Sequence, residues 1–316
     1  MGDDQLSEVF DLVEVRGLLT GGFAVRGPWF SRAAITDALK LIAVVCGRVR
    51  LTTDGVDAPI ELEPGDVAVL NGRAWLVLQG GSGDDPPREV VPEENDPATR
   101  LTGADCGAGD VVIGGRVELN PTGHALLRQA LPPVAHVRAA AAPATDLRAG
   151  LDRLFAEVAG HRIGSAFAIR QYGQLLLLEV LRAHVEQADL PSGWLRALTD
   201  ERLRPALTLM HGDPARHWRL DELARAAAMS RTSFAERFRT VAGVPPLTYL
   251  NRWRMLLAQR ALRHGDVRVG PLASRLGYAS ESAFSTAFKR EVGESPLRYR
   301  FRMREEPAER VAARPV

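Results

Sequence analysis

The first 120 residues alternate short apolar segments with breaks at glycine, proline and aspartate. The runs LKLIAVVCGRVRL (39–51), APIELEPGDVAVLNG (58–72) and AWLVLQG (74–80) have the length and turn spacing of strands. Residues 82–105 are rich in proline, aspartate, glutamate and glycine, which predicts a long loop, and VVIGGRVEL (111–119) resumes the strand pattern beyond them. The pattern therefore predicts one antiparallel β-domain, a sandwich or barrel, that contains this loop.

The hydrophobic period lengthens to that of a helix after a connector rich in proline and alanine at residues 132–145. The first predicted helix carries apolar residues at helical spacing, at Leu147, Leu151, Leu154 and Val158. A longer helix is predicted over 165–188 and another over 199–211. The helix over 165–188 is apolar on much of its circumference and needs cover on more than one side, from this chain or from a second copy. We expect it to form a homodimer interface.

The segments RTSFAERFRTVAGVPPLTYL (231–250) and ESAFSTAFKREVGESPLRYR (281–300) repeat one pattern at an offset of 50 residues. The matched pairs are Ser230 and Ser280, Phe234 and Phe284, Phe238 and Phe288, Gly243 and Gly293, Pro246 and Pro296, Leu247 and Leu297, and Tyr249 and Tyr299. A shorter helical segment with a Leu-Ala pair precedes each copy. So many identities indicate a structural repeat of helix, tight turn and helix.

Each copy has the signals of a helix-turn-helix unit. Ser230 and Ser280 are predicted N-caps of the second helix. The phenylalanines are spaced i and i+4, so they are predicted to dock each second helix on its partner. Between the copies, residues 246–265 predict a helix of roughly 17 residues, about 25 Å long. That length can place the two second helices in successive DNA major grooves, roughly 34 Å apart.

The outward face of a second helix is the part that meets DNA in a helix-turn-helix protein. The outward positions are Arg231, Thr232, Ala235, Glu236 and Arg239 in the first copy and Glu281, Ser282, Ser285, Thr286 and Lys289 in the second. The copies agree on the inner face and differ on the outer face, as expected if each reads different bases. Arg252, on the helix between them, is a predicted phosphate contact.

The charge distribution favours a polyanionic partner for the same region. The 316-residue chain has a formal net charge of +1, yet residues 212–304 carry 18 Arg and Lys against 8 Asp and Glu. A basic segment is attracted to phosphates whatever its fold. The apolar runs are far shorter than the roughly 20 residues that cross a bilayer, and the acidic N-terminus lacks an export signal. We therefore expect a cytoplasmic protein without a membrane partner.

The C-terminal region resembles the AraC/XylS family of transcription regulators over residues 218–304, above all in GYASESAFSTAFKREVGESPLRYR (277–300). The resemblance implies a DNA-binding domain whose two helix-turn-helix units read one asymmetric site of about two turns. Two departures are Gly270–Pro271, before the Leu-Ala pair, and Arg219, where a serine or threonine cap is common. The expected domains are a sensor at 1–131, a helical linker at 145–211 and the DNA-binding domain at 212–304.

The β-domain resembles the cupin barrels that serve as effector domains in this family, through RGPW (26–29) and the PGD turn (64–66). The expected fold class is thus α+β, with an antiparallel cupin-like barrel, a helical linker and an all-α double helix-turn-helix domain. Candidate wall residues for a small-molecule effector are Phe23, Trp29, Phe30 and Trp75. Cupin enzymes hold metals through histidines, but all seven histidines lie at position 124 or later.

Lys40 and Asn71 lie near the positions where metal ligands would be expected, and neither is an ordinary ligand. We therefore expect no metal, no cofactor and no enzymatic activity. A cupin enzyme and a helical protein-interaction module remain alternative hypotheses. Some relatives with this cupin type are redox sensors with a cysteine pair, so a thiol-based regulator using Cys46 and Cys106 is a further one.

The expected partners are double-stranded promoter DNA, a second copy of the chain, a small-molecule effector and RNA polymerase. Activation is the commoner outcome in the family, and repression requires no different residues.

Overall fold

The computed structural model describes residues 5–10, 12–13, 15–91, 109–140, 145–160, 162–187 and 190–312. The chain forms two compact units. One comprises Val13–Leu190, and the other comprises Met1–Leu12 with Pro191–Val316. The division after Leu190 falls within the stretch that we predicted as a linker. Within the described part of the chain, none of the helices combines the length and the hydrophobicity of a membrane-spanning segment.

The unit Val13–Leu190 is built on ten strands. They are β1 (Val15–Val25), β2 (Trp29–Ala34), β3 (Leu39–Cys46), β4 (Val49–Thr53), β5 (Ile60–Leu62), β6 (Val67–Asn71), β7 (Trp75–Gly80), β8 (Arg88–Glu89), β9 (Asp110–Leu119) and β10 (Val134–Val137). One sheet has the order β1-β9-β3-β6-β10 and the other β5-β4-β7-β2-β8. Among the described residues, neighbouring strands pair antiparallel, except that β2 and β8 are parallel. This arrangement confirms the predicted antiparallel β-domain.

Twelve helices lie among the described residues. They are α1 (Gln5–Phe10), α2 (Pro121–Ala130), α3 (Thr145–Gly160), α4 (Ser165–Gln187), α5 (Trp194–Thr199), α6 (Arg204–Gly212), α7 (Leu220–Ala226), α8 (Arg231–Ala242), α9 (Pro246–His264), α10 (Val269–Arg275), α11 (Glu281–Val292) and α12 (Pro296–Ala312). Of these, α2, α3 and α4 belong to the unit with the sheets, and α1 and α5 to α12 belong to the other unit.

The sheets enclose an apolar core because alternate residues of each strand face inward. On β3, Ile42 and Val44 belong to this core, and Leu76 and Leu78 of β7 face them from the other sheet. On α3, the predicted stripe of leucines and valine is buried. The composition of the strands therefore accounts for the interior of this unit.

Two predictions about the chain's organisation were wrong. The connector predicted at 132–145 contains β10, which pairs with β6 from Val134 opposite Leu70 to Val137 opposite Val67. A run of four residues between prolines and alanines is too short to show a period. The helix predicted over 199–211 begins only at Arg204, as α6, and Thr199 instead ends the preceding helix α5. The two helices are separated because the Asp200 carboxylate accepts hydrogen bonds from the backbone N–H groups of Arg202 and Leu203.

Candidate nucleic-acid interface and sensor cavity

The inner faces of the two helix-turn-helix units have the same geometry. Phe234, Phe238, Phe284 and Phe288 are all fully buried. The ring centroids are 5.7 Å apart in each phenylalanine pair. Phe238 meets Tyr249 edge-on at 5.5 Å, and Phe288 meets Tyr299 edge-on at 5.6 Å, both at 74°. The predicted inward orientation of the phenylalanines is confirmed.

The ends of the two second helices, α8 and α11, are fixed alike. The Ser230 hydroxyl accepts from the Ser233 N–H at 3.2 Å, and the Ser280 hydroxyl accepts from the Ala283 N–H at 3.1 Å. Both predicted N-caps are thus confirmed. Gly243 and Gly293 end the helices in the left-handed conformation, which a glycine adopts without steric cost.

The first helix of the first unit, α7, begins at a position where the sequence lacks a usual cap. Arg219 precedes it, but the Glu222 carboxylate accepts a hydrogen bond from the Arg219 N–H at 2.8 Å. This hydrogen bond from the Arg219 backbone lowers the pKa of the Glu222 carboxyl. The capping function therefore comes from the third helical residue instead of the cap itself.

The outward positions of α8 and α11 are open to solvent. Arg231, Thr232, Glu236, Arg239, Glu281, Ser282, Thr286 and Lys289 are exposed, and Ala235 and Ser285 are partly exposed. Arg231 Nε lies 3.6 Å from Asp221 Oδ1, an ion pair that its large exposure keeps weak. All ten predicted side chains therefore lie on accessible surface of two helices, available to a partner.

Two arginines of α9, Arg252 and Arg254, differ in their exposure to solvent. Arg252 is exposed, with Nε 3.2 Å from Glu291 Oε1 of α11. Arg254 is buried, and its guanidinium donates to the backbone carbonyls of Pro214 and Arg216. Burial lowers the pKa of Arg254. The spacing of two residues on one helix thus separates an accessible cation from a structural one.

A buried histidine that the sequence analysis did not name, His211, lies on α6, just before the first helix-turn-helix unit. His211 stacks on Trp253 with ring centroids 3.9 Å apart. Its Nδ1 is 3.0 Å from Glu8 Oε2, and its Nε2 is 3.0 Å from the Tyr249 hydroxyl. Burial lowers the pKa of His211 to about 4. The two contacts suit a neutral ring that donates from Nδ1 and accepts at Nε2.

The unit with the sheets contains a cavity of about 490 Å³ that is open to solvent on one side. It is lined by Gly21, Gly22, Phe23, Ser31, Arg32, Ala33, Ala34, Thr36, Lys40, Ile42, Leu76, Leu78, Val91, Val112, Gly114 and Arg116. A cavity of this size lies within the usual range for small-molecule sites, roughly 300–1,000 Å³.

The four predicted wall residues are distributed over different parts of this unit. Phe23 lines the cavity. Trp29 is buried instead, and its Nε1 donates to Asp110 Oδ2 at 2.6 Å. Phe30 lies under the guanidinium of Arg32, whose Cζ is 4.8 Å from the ring centroid, and Trp75 is 41% exposed. Of the four, Phe23 alone is part of the cavity lining, and an effector role for any of them stays a prediction. The polar lining residues Ser31, Lys40 and Arg116 were not among the predicted wall residues.

Two other side chains of this unit that the sequence analysis named, Asn71 and Cys46, are buried. Asn71 donates from Nδ2 to the carbonyls of Arg128 and Leu131. Cys46 is buried on β3 and is disulfide-bonded, whereas Cys106 lies outside the described residues. Within the described part of the chain, no group of three or more His, Cys, Asp or Glu side chains could hold a metal ion. The redox hypothesis stays a prediction.

Known proteins resemble both units. The cupin family matches residues 4–186, and a helix-turn-helix domain family matches residues 223–302. An AraC-like transcription regulator of Streptomyces lividans is 36% identical over 301 residues, which cover 94% of this chain and 98% of that protein. Another, from Streptomyces antibioticus, is 37% identical over 306 residues, with the same coverage. The solved DNA-binding domain of AdpA, in complex with a target DNA, is 34% identical, covers 34% of this chain and 96% of that one, and has a TM-score of 0.32.

Proposed function

Since the chain belongs to the AraC-like family of transcription regulators, we propose that it binds double-stranded promoter DNA sequence-specifically through α8 and α11 and that its cupin unit senses a small molecule. The observation that carries the proposal is the duplicated unit, whose inner geometry is the same in both copies while the exposed outer side chains differ. Core packing requires the shared inner geometry, but it does not explain why the exposed outer side chains differ.

The outward side chains have the chemistry that reads base edges. An arginine such as Arg231 can donate two hydrogen bonds to guanine, and Glu236 can accept from cytosine. Ser282 and Thr286 can donate to or accept from either base of a pair, and the Ala235 methyl can pack on thymine. Each well-placed contact contributes about 1–3 kcal/mol of discrimination. The two helices thus carry different recognition surfaces.

The helix α9 supplies the spacing between these surfaces. It has 19 residues, which corresponds to about 28 Å at 1.5 Å per residue. Successive major grooves on one face of B-DNA are roughly 34 Å apart. With the widths of α8 and α11 added, both helices would enter adjacent grooves of one asymmetric site.

The proposal includes a homodimer formed through α4. Phe167 and Leu175 lie on one side of this helix, two turns apart, and are 63% and 55% exposed. Ile163, just before the helix, is also fully exposed. Exposed apolar side chains in a row are typical of a protein interface. A second copy covering them would place two DNA-binding units on paired sites, where the effector would change their spacing or orientation.

Selection of binding sites from randomised duplex DNA tests the proposal. The full chain is compared with Arg231→Ala, Ser282→Ala and Arg252→Ala. We expect the first two variants to relax base preference in different halves of the site. We expect Arg252→Ala to weaken all sites similarly and to reduce the salt dependence by about one phosphate contact. Equal, salt-insensitive binding by all three variants would contradict the assignment.

A further inference from the structure

The first residues of the helical unit after the linker, 191–203, pack on α8. We call them the entry segment; they follow directly in the chain on the unit with the sheets and contain α5. Ala197 and Leu203 of the entry segment are fully buried, in the same apolar core as Phe234 and Phe238 of α8. The entry segment is therefore part of the support of α8.

A two-point ion pair joins the entry segment to α8. Arg237 Nε is 3.2 Å from Asp200 Oδ1, and Arg237 Nη2 is 2.7 Å from Asp200 Oδ2. The Asp200 side chain is 8% exposed, and that of Arg237 is 38% exposed. Two parallel hydrogen bonds between a guanidinium and a carboxylate fix their relative orientation as well as their distance. The pair therefore constrains how α8 lies against the end of α5.

The carboxylate of this pair is itself held by the backbone of the entry segment. Asp200 Oδ1 accepts hydrogen bonds from the N–H groups of Arg202 and Leu203, both at 3.0 Å. At the other end of the entry segment, the Gly193 N–H donates to the Val241 carbonyl of α8 at 2.9 Å. The entry segment thus attaches to α8 at two places.

The attachment lies away from the side of α8 that is predicted to meet DNA. Arg237 and Val241 are four residues apart and therefore share one side of the helix. At 3.6 residues per turn, Arg237 is about 200° around the axis from the outward residue Arg239. The attachment can therefore influence base reading only through the position of α8 as a whole.

The second helix-turn-helix unit has different residues at the matched positions of α11. Fifty residues further along, Ala287 corresponds to Arg237, and Glu291 corresponds to Val241. The alanine side chain cannot form an ion pair, and Glu291 is exposed, 3.2 Å from Arg252 of α9. The inner geometry of the two units is nevertheless the same. The fold of a helix-turn-helix unit therefore does not require the ion pair of Asp200 with Arg237.

We propose that Asp200 and Arg237 are positioning residues that fix the angle of α8 in its major groove, so that base reading by α8, but not by α11, is set by the entry segment. Hydrogen bonds weaken steeply as they become misaligned, so a small rotation of α8 is enough to lose a contact with a base edge. This role rests on the proposed sequence-specific DNA binding and names the residues that adjust one half of it.

Binding of the full chain to three duplexes tests the positioning role. One carries the selected site, and in each of the others one half of that site is replaced by unrelated sequence. The effects of Arg231→Ala and Ser282→Ala identify which half α8 reads. Discrimination at each half is the ratio of the dissociation constants for the replaced and the selected sequence.

Two single variants break the ion pair in different ways. Asp200→Asn keeps an oxygen that can accept from the backbone of the entry segment and loses the charge, and Arg237→Gln removes the cation. We expect each to reduce discrimination at the α8 half about tenfold, which corresponds to one lost base contact, and to leave the α11 half unchanged. Because both break the same pair, the double variant should lose no more than either single variant.

Two further variants serve as controls. Asp266→Asn changes the net charge by the same amount as Asp200→Asn and removes an exposed ion pair with Arg304, so it should leave both ratios unchanged. Arg237→Lys keeps the cation but cannot form the two-point contact. It should fold as stably as the parent chain and lose less discrimination at the α8 half than Arg237→Gln. Thermal unfolding of every variant shows whether a loss reflects unfolding.

The outcomes separate the positioning role from the proposed function. Unchanged discrimination at the α8 half, even with a lowered melting temperature, would mean that the ion pair acts on stability alone and would overturn the inference. Equal losses at both halves would also overturn it. A parent chain that discriminates at neither half would contradict the proposed sequence-specific binding itself, and the positioning role with it.

Discussion

The two helix-turn-helix units share an inner face and differ in what supports it. The first unit's core extends into α5 and α6 through Ala197, Leu207 and Met210, which pack with Phe234 and Phe238. The core of the second unit comes from α9 to α12, with Met255, Leu262 and Tyr299 around Phe284 and Phe288. The comparison shows that a duplicated sequence preserves the contacts that define the fold, while outer faces and neighbouring helices diverge.

The tight turns of the two units also differ. In the first unit Ala228 has a positive φ of 52°, which is uncommon for a residue with a side chain. In the second unit the positive φ of 79° belongs to Gly277, one residue earlier in the repeat. A Cβ atom at Gly277 would lie 2.1 Å from the backbone oxygen of Ala215. The second turn therefore requires glycine, and the first accepts alanine with strain.

Removal of a phenylalanine ring should have the largest effect on both units. Phe234→Ala and Phe284→Ala are each expected to lower the free energy of unfolding by about 3–5 kcal/mol, because each leaves a cavity in a core. Denaturant titration of the full chain measures the loss. Thr286→Ala, on the exposed face of α11, is the control and should change stability by less than about 0.5 kcal/mol. A cost below 1 kcal/mol for Phe284→Ala would show that the inner faces are not equivalent.

His211 should make the first unit more sensitive to acid than the second, which has Ala261 at the equivalent position. Burial lowers the pKa of His211 in the folded chain to about 4, from an ordinary value of 6.5. The neutral ring therefore contributes stability that is complete above pH 6.5 and is lost as the pH falls toward 4. Between pH 7 and pH 4 this amounts to about 3 kcal/mol. His211→Gln should reduce the fall by that amount; equal pH dependence in both chains would contradict it.

Gly277→Ala should destabilise the second unit by about 2–3 kcal/mol, because the methyl group meets a backbone oxygen and the positive φ disfavours a side chain. Thermal unfolding of the full chain measures the change. Gly212, whose added Cβ atom meets nothing within 4 Å and whose φ is not in the positive region, is the matched control. Gly212→Ala should leave stability nearly unchanged, and a similar loss in both variants would argue against the contact.

Ala228→Gly should have the smallest effect, and it should raise the free energy of unfolding instead of lowering it. Relief of the left-handed conformation contributes about 1–2 kcal/mol, and the added freedom of glycine in the unfolded chain costs about 0.4–1 kcal/mol. The free energy of unfolding should therefore rise by roughly 0.5–1 kcal/mol. Ala226→Gly, in the last turn of α7, should instead lower it by a similar amount. Destabilisation by both changes would mean that the first turn is not strained.

Sequence analysis predicted those features that local pattern determines. The repeat, the buried phenylalanines and the serine caps follow from spacing within one segment, and the cupin and helix-turn-helix families are confirmed by the matches to residues 4–186 and 223–302. It failed where partners are distant in sequence. Asp200 divides α5 from α6 and is held by a two-point ion pair with Arg237 of α8.

The lining of the cavity also depends on contacts between residues that are distant in sequence. Lys40 interrupts an apolar strand, which is a visible signal, but its position opposite Arg116 depends on a register between strands more than 70 residues apart in the chain. The four-residue strand β10 likewise becomes recognisable only through its pairing with β6. A single sequence carries no information on such pairings beyond the periodicity of each strand.

The central claim is that α8 and α11 read different bases from one scaffold. The most direct measurement is site selection from randomised DNA with a chain whose α11 carries the outward residues of α8. The substitutions are Glu281→Arg, Ser282→Thr, Ser285→Ala, Thr286→Glu and Lys289→Arg. We predict that only the half-site read by α11 changes and that it comes to match the half-site of α8, about one helical turn away. Recovery of the parent sequence in both half-sites would contradict the account.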